Sequence, residues 1–330
     1  MNAIGFSPDG DFTIALGRGL ATWTVEFGIQ FIVGDANSTG NPIYDFQYLE
    51  NGDLYYSTSN KDIYRIPAGS TNPIFIATAD EFFPRLAVES DGTIWVGTFS
   101  QGGNIVQQWT GSSWITYTPN NSTVTGSAVS DIFVDANDNI FVSQGFFSTD
   151  EGLQRFDGNN WEVIYEGFVA RGDNSLEQDF DAAGNVYTIG GEQLISKLNP
   201  ATGVISHFHR GNSPIDNDVR LESLTATSNN QFWVGTIQHG IYHFNGNNWT
   251  NYNTTNTNGQ LPTNNIEAIK SAPDGTIYAL AKSFSPSSKS LVRFQPNTQT
   301  WTTYNEGTEL PEDLNNLYVC LLYTSDAADE

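Results

Sequence analysis

Four ionisable side chains recur at one point of a repeating pattern: Asp45, Arg85, Asp131 and Glu177 each stand seven residues before a turn residue. The equivalent positions elsewhere hold Ala3, Ser223 and Ala268, and the residue that follows each is largely apolar. Such a spacing sets these side chains off the packed stripe of a strand, at the mouth of a shared channel. Asp45 and Arg85 are placed to pair. Asp131 and Glu177 carry like charge at successive positions, which raises at least one pKa unless a cation or a ligand hydroxyl intervenes. Hard carboxylate oxygens of this kind suit calcium or magnesium rather than zinc. Two readings follow: a hydrated ring of acids, or the polar floor of a ligand site.

A second set is aromatic. Phe82, Phe83, Phe99, Phe146, Phe147, Phe168 and Phe284 fall in loops. Rings on loops over a rigid scaffold are stacking platforms for a sugar or peptide, unless they fold back onto the strands. The four histidines, His207, His209, His239 and His243, lie within 37 residues. Zinc spacing is available to them, but His207 and His209 belong to an outer strand and His239 to a loop, so convergence is not expected. Asp135-Ala-Asn-Asp-Asn139 lacks the glycine and glutamate of a calcium loop and reads as a turn. Arg171-Gly172-Asp173 is a three-residue match of the kind chance supplies. There is no nucleophile elbow, phosphate loop or dinucleotide fingerprint, so no catalytic residue is assigned.

What positions these groups is a repeat. Seven turns read SPDGDFTI, LENGDLYY, ESDGTIWV, DANDNIFV, DAAGNVYT, TSNNQFWV and SAPDGTIY, anchored on Gly10, Gly52, Gly92, Asp138, Gly184, Asn230 and Gly275. A spacing of 40 to 46 residues, with strand signals and almost no helical periodicity, is that of four-stranded propeller blades. Three residues after each anchor stand Thr13, Tyr55, Trp95, Phe141, Tyr187, Trp233 and Tyr278. A blade cannot cover both its faces alone, so this column must pack between blades. The expected fold is therefore all-β, a seven-bladed propeller of four-stranded antiparallel blades over residues 1–319. LPEDLNNLYV, before Cys320, matches LPTNNIEAI and begins an eighth repeat, which belongs either to a further blade or to a strand that helps close the ring.

Residues 232–280, from FWVGT through GIYHF and LPTNNIEAI to DGTIYAL, resemble the two-component regulator propeller repeat, and IWVGT at Ile94–Thr98 agrees. The match is strong in blades 3, 4, 6 and 7 and weaker in blades 1, 2 and 5, where Gly-Thr after the aromatic strand is replaced. In that family the propeller is usually the extracytoplasmic sensor of a hybrid histidine kinase or part of a secreted or surface protein of Bacteroidetes-type bacteria, and those with a kinase often recognise oligosaccharides. The resemblance implies a periplasmic or extracellular module that binds a small polar ligand or glycan. It carries over no catalytic set and no obligatory cofactor. The other class is a propeller enzyme in the manner of virginiamycin B lyase or the gluconolactonases, with a divalent cation at the channel mouth.

Thirteen basic against 37 acidic residues in 330 give a net charge of −24. That excludes an electrostatic footprint for nucleic acid. No stretch has the apolar length of a membrane span. The last eleven residues, Cys320–Glu330, break the repeat and resemble the translation of a sequencing adapter. Deleting them is expected to leave the melting temperature unchanged within about a degree. At the other end the repeat is under way by Asn2, with no signal peptide before it, so a start internal to a longer reading frame is expected.

Overall fold

The computed structural model describes residues 4–305 apart from 17–18, 25–27, 35–41, 83, 99–104, 125–128, 136, 145–151, 167–177, 182, 191–193, 200–201, 217, 228–229 and 286. The adapter-like tail, the eighth repeat start and Met1 lie outside these residues. The fold class is the expected one: seven four-stranded antiparallel sheets, each with its strands in chain order, in a β-propeller.

The chain divides into two compact units, one within Met1–Thr22 and Gln30–Leu176, the other within Trp23–Ile29 and Glu177–Val319. In the first, blade 2 runs Ile43–Tyr48, Leu54–Thr58, Asp62–Ile66 and Ile74–Thr78. Blade 3 runs Arg85–Val88, Ile94–Thr98, Ile105–Trp109 and Trp114–Tyr117, and blade 4 opens with Val129–Val134 and Ile140–Gln144. In the second unit, blade 5 opens with Gln178–Phe180 and Val186–Gly190. Blade 6 runs Arg220–Thr227, Gln231–Ile237, Ile241–Phe244 and Trp249–Tyr252. Blade 7 runs Ile266–Ser271, Ile277–Phe284, Ser287–Gln295 and Thr300–Asn305.

Every anchor residue has a positive φ, from 59° at Asp138 and 63° at Asn230 to 91° at Gly92. Glycine adopts this region freely, and Asp and Asn tolerate it best among the other residues. The turn between them sets one register throughout: Gln47 faces Tyr55, Ala87 faces Trp95, Asp179 faces Tyr187, Thr225 faces Trp233 and Lys270 faces Tyr278.

The aromatic column packs between blades. In the first unit Trp95 of blade 3 meets Phe156 and Trp161 of blade 4, at centroid separations of 5.1 and 6.1 Å. In the second, Tyr187 meets Phe232 at 5.3 Å and Trp233 meets Phe294 at 5.6 Å. The glycine of the Trp-Val-Gly-Thr segment is explained by the same packing. A Cβ at Gly235 would stand 2.6 Å from Ile266 Cγ2 of the next blade, and Gly97 faces Val129 in the same way. Only a residue without a side chain lets the neighbouring first strand approach so closely.

Candidate ligand-binding site

The innermost strands are joined by side chains that reach the backbone of the following blade. Asp45 Oδ2 accepts from the Leu86 N–H at 2.9 Å, and Gln47 both accepts from and donates to Val88. In blades 6 and 7, Ser223 Oγ accepts from the Ile269 N–H at 2.8 Å and Thr225 Oγ1 from the Ser271 N–H at 3.1 Å. Asp179 goes furthest. Its Oδ2 accepts from Thr225 Oγ1 at 2.8 Å, from the Ala226 N–H at 3.0 Å and from Lys270 Nζ at 3.1 Å, two blades away. Lys270 is 3% exposed. A buried ammonium is tolerated only where a carboxylate and further hydrogen bonds meet it, as here.

The mouth positions sit at these strand entrances. In blades 2, 4, 6 and 7 a β-bulge falls immediately before the expected residue, between Ile43 and Asp45, Val129 and Asp131, Leu221 and Ser223, and Ile266 and Ala268. Bulges re-aim side chains and cluster at functional rims. Asp45 is buried, with its other oxygen accepting from the Phe46 N–H at 2.9 Å, so it holds the Leu86 backbone and with it the strand bearing Arg85. The half-buried Arg85 guanidinium lies 5.2 Å from the centroid of Tyr44, the bulge residue of blade 2. Half-buried Asp131 accepts from the Ile132 N–H at 3.0 Å. Glu177 lies outside the described residues.

Of the loop aromatics, Phe82 and Phe284 are exposed, Phe284 by 60%, each beneath a lysine: Lys61 Nζ is 4.4 Å and Lys282 Nζ 5.3 Å from the respective centroid. Phe83, Phe99, Phe146, Phe147 and Phe168 lie outside the described residues. The histidines occupy separate places. His207 bonds Ser196 Oγ at 2.9 Å, His209 accepts from the Gly211 N–H, and His239 Nδ1 is 3.1 Å from the Ile237 carbonyl. His243 stacks on Trp233 at 3.7 Å, and burial pulls its pKa down to about 4. Asp135 is a turn residue: its carboxylate accepts from the Asn137 and Asn139 N–H groups and from Asn139 Nδ2.

Sequence reasoning passed over a cavity of about 440 Å³ within the second unit, between the hairpin after Ile237 and the segment linking blades 6 and 7. That volume is in the range of small-molecule sites. Among the described residues its lining is amide, hydroxyl, phenol and imidazole: Gln238, His239, Tyr242, Asn251, Asn253, Thr255, Asn256 and Asn264, with Asp216 and Asp218 close enough to act on Tyr242. Several of these build the wall. Asn251 Nδ2 donates to the His239 carbonyl at 2.9 Å, Asn256 Nδ2 to the Asn251 carbonyl at 2.7 Å, and Asn264 Oδ1 accepts from the Thr254 N–H at 2.8 Å. Asn253 Oδ1 accepts from the Thr255 and Asn256 N–H groups.

Others are left over. The exposed Gln238 amide and Thr255 hydroxyl, the half-buried Asn264 Nδ2 and the buried Tyr242 hydroxyl have no protein hydrogen-bond partner among the described residues. Tyr242 is only 7% exposed, and burial, followed by Asp216 and Asp218, pushes its pKa up, so it presents an O–H. Gln238 holds a φ of 71°, a conformation that costs a non-glycine residue energy and recurs at functional sites. The signal available in the sequence was the run NYNTTNTNGQLPTNN, whose six asparagines exceed what one linker turn needs.

No family model and no curated protein sequence matches the chain. Solved propellers do. The extracellular domain of the one-component system BT4673 from B. thetaiotaomicron is similar at 16% identity and a TM-score of 0.60, over 92% of this chain and 46% of that one. A streptogramin B lyase is similar at 14% identity and a TM-score of 0.62, over 84% of this chain and 89% of the lyase. A chain of the mitotic checkpoint complex reaches the same TM-score at 12% identity. The chain thus spans under half of the BT4673 domain. At these identities the likeness speaks for the fold, and the fold common to all three is the β-propeller.

Proposed function

We propose that the chain is a ligand-binding module acting outside the cytoplasm, part of a longer sensor or secreted surface protein, and that its ligand is a small polar molecule of the glycan class. The observation that carries this reading is the amide- and hydroxyl-lined cavity of the second unit, whose unpartnered donors and acceptors match a ligand rich in hydroxyl groups. The likeness to an extracellular sensor domain supports the location, as does the repeat pattern around Trp-Val-Gly-Thr. The charge of −24 disfavours nucleic acid as a partner.

The expected mouth positions are a separate surface in this proposal: at the strand entrances of the first unit Arg85 and Asp131 would offer their charged groups to a polar ligand or to a calcium or magnesium ion, with Asp45 fixing the entrance behind Arg85. Glu177 and the loop rings Phe99, Phe146, Phe147 and Phe284 are further candidates by sequence.

The likeness to streptogramin B lyase favours a second reading, a lyase with a divalent cation at the mouth. One pair of measurements separates the two. A glycan array probed with the purified chain should show binders, while streptogramin and lactone substrates with added magnesium should show no turnover above buffer. An array without binders together with measurable lyase or lactonase turnover overturns the sensor reading.

A further inference from the structure

The cavity of the second unit keeps its side-chain oxygens occupied. Asn253, Asn256 and Asn264 are oriented by backbone N–H groups, which can only donate, so the amide oxygen of each must face them. Asn253 Oδ1 accepts from the Thr255 and Asn256 N–H groups, Asn256 Oδ1 from the Asn253 N–H at 2.8 Å, and Asn264 Oδ1 from the Thr254 N–H at 2.8 Å. Asn251 Oδ1 accepts from Asn253 Nδ2 at 2.8 Å, while Asn251 Nδ2 donates to the His239 carbonyl and Asn256 Nδ2 to the Asn251 carbonyl. The amides of Asn251, Asn253 and Asn256 are thus satisfied at both ends within the wall. Asn264 differs, because its oxygen is held and its Nδ2 has no partner among the described residues.

What the wall leaves for a ligand is therefore weighted towards donors. Asn264 Nδ2 can only donate. Tyr242 keeps its O–H, since burial and the nearby Asp216 and Asp218 hold the phenol protonated. The one fixed acceptor belongs to His239. Its Nδ1 stands 3.1 Å from the Ile237 carbonyl, which can only accept, so Nδ1 carries the proton and Nε2 of the neutral ring keeps the lone pair. The Gln238 amide and the Thr255 hydroxyl can each donate or accept and do not select. A secondary amide is the complement of this set: a carbonyl oxygen with two lone pairs beside a single N–H.

We infer that the cavity receives the acetamido group of an N-acetylated sugar, its carbonyl oxygen accepting from Asn264 Nδ2 and the Tyr242 O–H and its N–H donating to His239 Nε2. The inference rests on the ligand-binding reading and adds the chemical class. Charge narrows the choice further. A uronic acid would meet Asp216 and Asp218 and the net charge of −24. An unacetylated amino sugar would set an ammonium, which has no acceptor, against the donors of Asn264 and Tyr242. An N-acetylated sugar is neutral and reaches the protein either free or as a residue of an oligosaccharide, with the same acetamido chemistry.

Titration calorimetry tests this with N-acetylglucosamine and N-acetylgalactosamine, their unacetylated amines, the parent hexoses, glucuronic acid, and the β-linked trimer of N-acetylglucosamine. At least one acetylated sugar is expected to bind about tenfold tighter than its amine and its parent hexose, the scale of one or two neutral hydrogen bonds. Binding of the monomers indicates free sugars as the source; binding of the trimer alone indicates oligosaccharides. Tyr242→Phe and Asn264→Asp should each reduce the preference for the acetylated form severalfold. Tyr242→Phe removes a hydroxyl without a protein partner, and Asn264→Asp keeps the acceptor for the Thr254 N–H, so an unchanged melting temperature confirms the fold in both. Binding of an amine, a parent hexose or glucuronic acid as tight as that of the acetylated sugars overturns the inference, as does a preference that both variants leave intact. Absence of binding by every probe overturns it too. A glycan array whose binders all lack acetamido groups has the same consequence while the ligand-binding reading stands.

Discussion

His243 shows how a single buried ring ties stability to pH. It lies flat on Trp233, its Nε2 is buried with no hydrogen-bond partner among the described residues, and burial lowers its pKa from 6.5 to about 4. The folded chain keeps the ring neutral, whereas the unfolded chain takes up a proton once the pH falls below 6.5. Its contribution is complete above that value and is lost progressively as the pH drops towards 4. Urea midpoints measured from pH 7 to 4 should fall more steeply for the parent than for His243→Phe, by a difference of about 2 kcal/mol at the acid end. Parallel curves would show that the ring does not titrate in this window. Gly235 offers a second residue-scale test. Gly235→Ala drives a methyl against Ile266 of the next blade and should cost about 1–3 kcal/mol in urea unfolding. A loss below about 0.5 kcal/mol would mean that blade 7 yields easily at this contact.

At the scale of elements, the first strands act as a chain of connectors rather than as independent edges. Asp179 receives Thr225, the Ala226 N–H and Lys270, so removing either charged partner has unequal consequences. Lys270→Met leaves Asp179 with three uncharged donors, counting the Phe180 N–H. Asp179→Ala instead leaves a buried ammonium alone, and should cost about 3–5 kcal/mol, clearly more than Lys270→Met. Chemical unfolding of the two variants checks the order, and a reversed order would place the main support of Lys270 elsewhere. The turn at Asp135 is built on the same economy, since one carboxylate holds the Asn137 and Asn139 N–H groups and lets Asp138 adopt its positive φ.

Across the whole molecule the strongest electrostatic influence is net charge. With 37 acids against 13 bases, the described ion pairs neutralise few of the negative groups, and the remainder repel one another. Added salt screens this repulsion within about a Debye length. The melting temperature should therefore rise as sodium chloride goes from about 10 mM to about 0.5 M. A fall would show that the pairs at Asp179, Glu267 and Asp53 outweigh the general repulsion.

The blade count, the anchor turns and the aromatic column were legible in the sequence because they are local and recur. A positive φ demands Gly, Asn or Asp wherever it occurs, and a strand's period of two places Trp95 and Trp233 on the buried face whatever surrounds them. Strand-entrance positions such as Asp131 could be located by counting back from an anchor, for the same reason. What those side chains do was decided by tertiary structure. Asp45 is expected from the sequence to pair with Arg85, and the structure shows its carboxylate holding the Leu86 N–H, because the next blade brings that backbone donor to it. The union of Asp179 with Lys270 spans 91 residues, and nothing in either one's neighbourhood announces the other. The cavity at Gln238 and Tyr242 arises where a hairpin of one blade meets the linker to the next, and Asn265 ties the two by accepting from the Gln238 N–H. Local chemistry repeats and can be read from the chain; a site assembled from two blades exists only once they have packed.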